Sequence, residues 1–231
     1  MIISHKHRFI FIKTRKTAGT SIEALLARRC GPDDILTPLV PHEAGHAAQH
    51  DRGRWNPLRE TVEALACGDP AALRATASDW RHRRRFFKHI PARLVRARIG
   101  AETWRTYTTF CVERNPFDKT VSHYHMLRAR GVVSDFDDYL ERGALCWNAP
   151  LYTDRAGRVI VDAVLPYEGL DAALGAVMAR LGLPYEGRIG LRAKSGTRPA
   201  NSAYRDVLTP GQRARLEAAF TTECRLHGYR F

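Results

Sequence analysis

Apolar positions along this chain alternate between a strand rhythm and a helix rhythm. Residues 8–13 (R-F-I-F-I-K) carry an apolar centre too brief for a helix and read as a short buried strand. A polar loop over 14–19 follows. Thr20-Ser21-Ile22-Glu23 then has the form of a capping box, Thr at the N-cap and Glu three residues later. Ile22, Leu25, Leu26 and Arg29 recur at helical spacing until Gly31-Pro32 stops the helix. A second strand is predicted over 107–112 (Y-T-T-F-C-V), β-branched and aromatic. Asn115-Pro116-Phe117-Asp118 supplies an N-cap, a proline at the first helical position and an acid at the third, for a helix closed by Gly131.

Later elements are plainer. Phe136, Tyr139 and Leu140 predict a short helix after Ser134, and 159–165 (V-I-V-D-A-V-L) a third core strand. Leu170, Ala173, Leu174, Val177 and Leu181 form one apolar helix face ended by Gly182. Thr209-Pro210-Gly211-Gln212 is another capping box, opening a helix through Leu216, Phe220 and Cys224 to Gly228. Residues 41–90 mix His, Arg and Pro around two weakly helical patches, 58–66 and 71–80. Strands that feed helix starts predict an α/β fold, P-loop-like, in three layers with a central parallel sheet flanked by helices. Right-handed crossovers place the two helix-starting loops at one carboxyl edge.

The 231 residues fit a single domain, 1–231, and a hydrophobic fraction of 44% argues against global disorder. No apolar run approaches the roughly 18–20 residues of a membrane helix, and 9–12 is too short for a secretory h-region. The expectation is a cytoplasmic protein with no membrane span. Five scattered cysteines without a C-x-x-C pair fit reduced thiols better than a disulfide frame. Lys and Arg number 37 against 24 Asp and Glu, a net charge of +13. That excess favours a polyanionic partner without distinguishing nucleic acid from nucleotide or acidic glycan.

Two loops carry the chemistry. Lys13-Thr14-Arg15-Lys16-Thr17-Ala18-Gly19-Thr20-Ser21 sets backbone N–H groups at a helix N-terminus, which binds anions by geometry and dipole. Gly19 permits close approach, Thr20 and Ser21 add hydroxyls, and Lys16 adds a mobile charge. The Walker pattern is absent, because Lys16 precedes the only glycine by three residues. The plain alternative is a solvated basic turn. In Glu113-Arg114-Asn115-Pro116-Phe117-Asp118-Lys119-Thr120-Val121-Ser122, Arg114 offers a guanidinium fork at a strand end. Ser122 lies seven residues past Asn115 on the same helix face, so the pair can grip one dianion. Otherwise Arg114 pairs with a carboxylate and Ser122 packs.

Together these motifs resemble the sulfotransferases that use 3′-phosphoadenosine 5′-phosphosulfate (PAPS). Lys-Thr-Ala-Gly-Thr-Ser resembles their 5′-phosphosulfate loop, and Arg-Asn-Pro-Phe-Asp-Lys-Thr-Val-Ser their 3′-phosphate motif. The likeness is to a bacterial branch related to Golgi carbohydrate sulfotransferases. It continues through Cys30-Gly31-Pro32-Asp33-Asp34-Ile35-Leu36-Thr37-Pro38 to the terminal His227-Gly228-Tyr229-Arg230-Phe231, with 41–88 most divergent. The resemblance implies transfer of a sulfuryl group to a hydroxyl, chiefly of a carbohydrate, with adenosine 3′,5′-bisphosphate (PAP) as product. It assigns Lys16, Thr17, Ala18, Gly19, Thr20 and Ser21 to the 5′ end, and Arg114 and Ser122 to the 3′-phosphate. Lys194 and Arg198 resemble a late loop closing over the nucleotide, and 41–90 becomes an acceptor-side insertion. Glu113 departs from the family, which usually has an apolar residue there; strand alternation predicts that it points away from Arg114.

A base is needed for the acceptor hydroxyl, and histidine suits neutral pH. His89, in Phe87-Lys88-His89-Ile90-Pro91-Ala92, resembles the family's base, with His42 as fallback. Lys16 stabilises the leaving phosphate, and because the migrating sulfuryl group carries less negative charge than a phosphoryl group, a Lys and backbone donors suffice and no metal is required. His42-Glu43-Ala44-Gly45-His46 also matches the H-E-x-x-H zinc signature, with His50 on the same helical face. Gly45 inside that helix and the lack of a strong apolar face weigh against a zinc hydrolase. A non-catalytic polyanion-binding module and a P-loop kinase are further alternatives. Arg81-His82-Arg83-Arg84-Arg85 reads as a solvated face, and no nucleic-acid module surrounds it.

Overall fold

The computed structural model describes residues 1–39, 46–189 and 203–231. Along the chain these form β1 (Ile2–Ser4), β2 (Phe9–Phe11), α1 (Gly19–Ala27), β3 (Ile35–Leu36), α2 (Leu58–Ala66) and α3 (Pro70–Arg81). Next come α4 (Ala92–Ile99), α5 (Ala101–Thr106), β4 (Thr108–Glu113), α6 (Pro116–Arg128), α7 (Phe136–Glu141) and α8 (Ala149–Tyr152). β5 (Ala163–Pro166), a 3-10 turn (Tyr167–Gly169), α9 (Leu170–Arg180), α10 (Tyr204–Val207), α11 (Pro210–Ala219) and α12 (Thr221–His227) complete the order. The α/β character expected from the sequence is present. Among the described residues no helix is long and apolar enough to cross a membrane.

One five-stranded sheet runs β3-β1-β2-β4-β5. It is mixed, which corrects the expectation of a parallel sheet. β2 pairs with β4 and β4 with β5 in parallel, whereas β1 is antiparallel to both β2 and β3. The cause lies in residues 5–8, which fold back as a tight turn. Asp34 holds that turn, accepting from the N–H of His5 at 2.6 Å and Lys6 at 3.1 Å, and from the Ser4 hydroxyl at 2.7 Å.

The central strands carry apolar residues on both faces because both faces are covered. Phe9 and Phe11 of β2 join Phe110 and Val112 of β4 in a core shared with Ile22 and Leu26 of α1 and Leu174 and Met178 of α9. The alternate residues Ile10 and Cys111, with Ile12 beyond β2, face the opposite way onto Val95 of α4, Tyr152 of α8, Phe86 and Ile90. Each fully buried Phe or Ile contributes about 1.5–3 kcal/mol relative to exposure. A third cluster joins Phe117, Val121 and Tyr124 of α6 to Phe136 and Tyr139 of α7 and Leu216 of α11.

Three further expectations change. The capping box at Thr20 is not formed: α1 starts earlier, with Ala18 as N-cap in a left-handed conformation and no side-chain cap. Glu23 instead turns inward to Lys13 and the Met1 amine, so a buried ion pair outcompetes the cap. The third core strand shortens to β5, with Val159 making only an isolated bridge to Thr153. The helix expected through Cys224 breaks at Phe220 into α11 and α12, its fully buried ring leaving the regular path (φ −107°, ψ 25°). The second capping box does form, Thr209 and Gln212 bonding reciprocally.

The two weak patches within 41–90 are α2 and α3, which pack against each other. Buried Arg98 of α4 anchors them, donating to Glu60 at 2.8 Å and Asp79 at 3.1 Å. Its guanidinium also lies 4.4 Å from the Trp55 ring centroid.

Candidate functional site

Because β2, β4 and β5 run parallel side by side, the segments leaving them emerge at one edge. From β2 comes the loop 14–18. Its bend requires left-handed backbone at Lys16 (φ 60°) and Ala18 (φ 56°). The Thr14 and Thr17 hydroxyls lie 2.7 Å apart inside it. The first bond of α1 runs from the Ile22 N–H to the Ala18 carbonyl at 3.1 Å. The N–H groups of Gly19 and Thr20 therefore have no intrahelical acceptor and project from the helix start. Gly19 is required here by packing: a Cβ would lie 2.9 Å from Lys13 Cγ. The buried Lys13 side chain passes over it to Glu23 and, at 3.3 Å, the Thr20 hydroxyl.

Arg114 leaves β4 and joins the two loops. Its Nη1 donates to the Lys16 carbonyl at 3.1 Å. Nε and Nη2 hold Asp118 Oδ2 at 2.7 and 2.6 Å, and the guanidinium lies 4.3 Å from the Tyr167 ring centroid. The carboxylate pairing left open by the sequence is thus present, alongside the contact to the β2 loop. Asn115 caps α6 with its side chain, accepting from Phe117 and Asp118 N–H, with Pro116 at the first helical position. Ser122 is half-buried on α6, with no partner for its hydroxyl among the described residues. Lys16 Nζ reaches the same helix, 3.6 Å from Met126 Sδ.

His89 packs against the start of the β2 loop, its Nδ1 2.9 Å from the Lys13 carbonyl. A carbonyl only accepts, so Nδ1 carries the proton and Nε2 keeps its lone pair. Burial, then the charges of Lys13, Lys88 and Arg15, push the imidazole down to about 3, against the raising effect of the Lys13 carbonyl. His123, beside Ser122, is pushed down to about 4 by burial and then by Lys16 and Arg15. Lys16, Thr17, Ala18, Gly19, Thr20, Ser21, Arg114 and His89 therefore gather on one edge. His42, Lys194 and Arg198 lie outside the described residues, as does the H-E-x-x-H motif apart from His46. Among the described residues no group of His, Cys, Asp and Glu is placed to hold a metal.

Several residues of the site carry no motif. Asn148, fully buried at the start of α8, clamps Arg15: its Oδ1 accepts from the Arg15 N–H at 2.8 Å and its Nδ2 donates to the Arg15 carbonyl at 3.1 Å. Nδ2 also donates to Glu113 Oε1 at 3.1 Å. Glu113 does turn away from the Arg114 guanidinium. It accepts from Lys119 Nζ at 2.9 Å and from the Tyr152 hydroxyl at 3.0 Å, with Lys119 and Glu113 0% and 1% exposed. A buried pair adds little net stability, yet losing one partner costs about 3–5 kcal/mol. Glu168, after β5, accepts from the Asn115 N–H at 2.7 Å. Only Asn148-Ala149-Pro150, which resembles the Asn115-Pro116 start of α6, offered any sequence signal for these contacts.

No family model matches the chain. It is 33% identical to an uncharacterized protein of Archaeoglobus fulgidus over 125 residues, 52% of this chain and the full length of that protein. By that identity and coverage, the chain belongs to the same family as this archaeal protein.

Proposed function

We propose that this protein is a PAPS-dependent sulfotransferase with a P-loop-like fold, transferring a sulfuryl group to a hydroxyl, chiefly of a carbohydrate. The observation that carries the reading is the 3.1 Å bond from Arg114 to the Lys16 carbonyl. It joins two motifs nearly a hundred residues apart at one sheet edge, as a ligand with anionic groups at both ends requires. The uncapped start of α1 and Lys16 suit the 5′-phosphosulfate. Arg114 and the Ser122 hydroxyl suit the 3′-phosphate. In the transfer, the acceptor oxygen bonds to sulfur, its proton passes to His89 Nε2, and the sulfur–oxygen bond to the 5′-phosphate breaks. Lys16 and the N–H groups of α1 stabilise the charge left on PAP.

The low His89 pKa keeps the ring neutral and able to accept that proton. A nucleotide bound beside Lys13, Lys88 and Arg15 offsets their charges and raises the imidazole towards the useful range for a base. Five free cysteines accord with a cytoplasmic site of action. Calorimetric titration with PAP tests the reading. Binding weakened about ten-fold or more in Arg114→Ala is the expected result, since a charge-assisted contact contributes about 1.5–3 kcal/mol. No PAP binding by the parent protein sinks the proposal.

A further inference from the structure

A cavity of about 330 Å³ lies beside α8, with Arg93, Trp147, Thr153, Arg155 and Thr222 in its lining. We propose that it is a binding site for a monocarboxylate carried on a six-membered ring, separate from the strand-end loops. Its volume is at the small end for ligand pockets, roughly 300–1,000 Å³, and suits one ring with its substituents.

Trp147 provides a flat wall. Its Nε1 donates to the Ala219 carbonyl at 3.1 Å, and its ring leans on Phe220 at a centroid distance of 6.4 Å. The indole is thereby fixed while 42% of the residue stays exposed. An apolar ring face buried on it gains without ordering the tryptophan first.

Arg93 decides the ligand's charge. It is half-buried on α4 and, among the described residues, has no direct hydrogen-bond or ion-pair partner. Burial, with Arg155 adding, pushes its pKa down against the raising effect of Glu63, Asp69 and Glu60, which act on it through space without a direct contact. Every other charge on the lining is committed. Arg155 is held by Glu63 at 3.2 Å and Asp69 at 3.4 Å. Asp154 accepts from Arg158 Nε at 2.9 Å and from the N–H groups of Ala156 and Arg158. Glu223 is buried and accepts from the N–H groups of Asn148 at 3.1 Å and Ala149 at 3.2 Å. One uncommitted cation calls for one anion, while Asp154 and Glu223 disfavour a second negative charge.

The inference does not depend on the nucleotide reading, and ligand-observed NMR titration of the full chain without nucleotide tests it. Methyl glucuronide against methyl glucoside probes a saturated ring; 4-hydroxybenzoate against 4-hydroxybenzyl alcohol probes an aromatic one. In at least one pair the acid binds about ten-fold tighter than its neutral partner, as expected for a charge-assisted contact, and the tighter acid identifies the ring. Arg93→Gln abolishes the preference, Arg93→Lys retains it, and Trp147→Ala weakens the acid while PAP affinity stays unchanged. Acid and neutral probes binding alike, neither acid binding, or a preference that survives Arg93→Gln overturns the proposal.

Discussion

Replacing Gly19 by alanine sets two effects of opposite sign against each other. Gly19 opens α1, and helix propensity alone favours Ala by up to about 1 kcal/mol. Against this, the new methyl carbon would sit 2.9 Å from Lys13 Cγ, 3.1 Å from Lys13 Cε and 3.4 Å from the Thr14 carbonyl. The crowded atoms belong to a side chain pinned at both ends. Its backbone follows β2, and its ammonium, 3% exposed, is paired with Glu23 and bonded to Thr20. It cannot swing aside without breaking a buried ion pair, so the methyl is accommodated by strain of about 1–3 kcal/mol. The net expectation is a loss of about 1–2 kcal/mol, read as a lower urea midpoint in circular dichroism. Lys13→Ala removes both Cγ and Cε. In that background Gly19→Ala becomes neutral or stabilising, giving a coupling energy of about 1–2 kcal/mol. A Gly19→Ala protein more stable than its parent, or strictly additive effects, refutes this account of the glycine.

Two other perturbations test the site. Asn148→Ala strips partners from the Arg15 N–H, the Arg15 carbonyl and Glu113 Oε1 together. It is expected to cost about 3 kcal/mol and to weaken PAP binding by loosening the loop; an unchanged melting temperature contradicts the clamp. Acid sensitivity follows from His89 and His123, whose folded pKa values of about 3 and about 4 lie below the unfolded value near 6.5. The unfolded chain takes up their protons first. Their contribution is thus intact above about pH 6.5 and is lost as pH falls, reaching about 2 kcal/mol for each by pH 5. His89→Asn suits the left-handed backbone there (φ 60°) and retains a donor for the Lys13 carbonyl. Urea midpoints between pH 7.5 and 5 fall less steeply in this variant, and parallel profiles for parent and variant refute the burial of His89.

Local signals were legible where one segment carries its own reason for being what it is. Asn115-Pro116 caps α6 by side-chain geometry alone, and Thr209 with Gln212 does the same for α11. The short apolar run through Phe9 and Phe11 is a strand because nothing so brief and so apolar can be an independent helix. Even the faint patches at 58–66 and 71–80 carry enough periodicity to mark α2 and α3. The reading failed where a residue had two possible partners and the distant one won. Glu23 completes a capping box in the sequence, yet in the fold it neutralises a buried lysine. β3 went unread because a strand of two residues has no usable period.

The sequence by itself determined the starts of α6 and α11, the apolar strand β2 and the two loops that carry strand ends into helix starts, since each depends on residues within a turn or two of one another. The tertiary structure decided that Arg114 bonds to Lys16, that Asn148 holds Arg15 and that His89 presents Nε2 rather than Nδ1. It also decided that Glu113 is harmless to Arg114, by burying it against Lys119 and Tyr152. Such pairings join residues far apart in the chain, and they form only after the sheet has brought its strand ends together. Local pattern holds no record of which distant group will be waiting there.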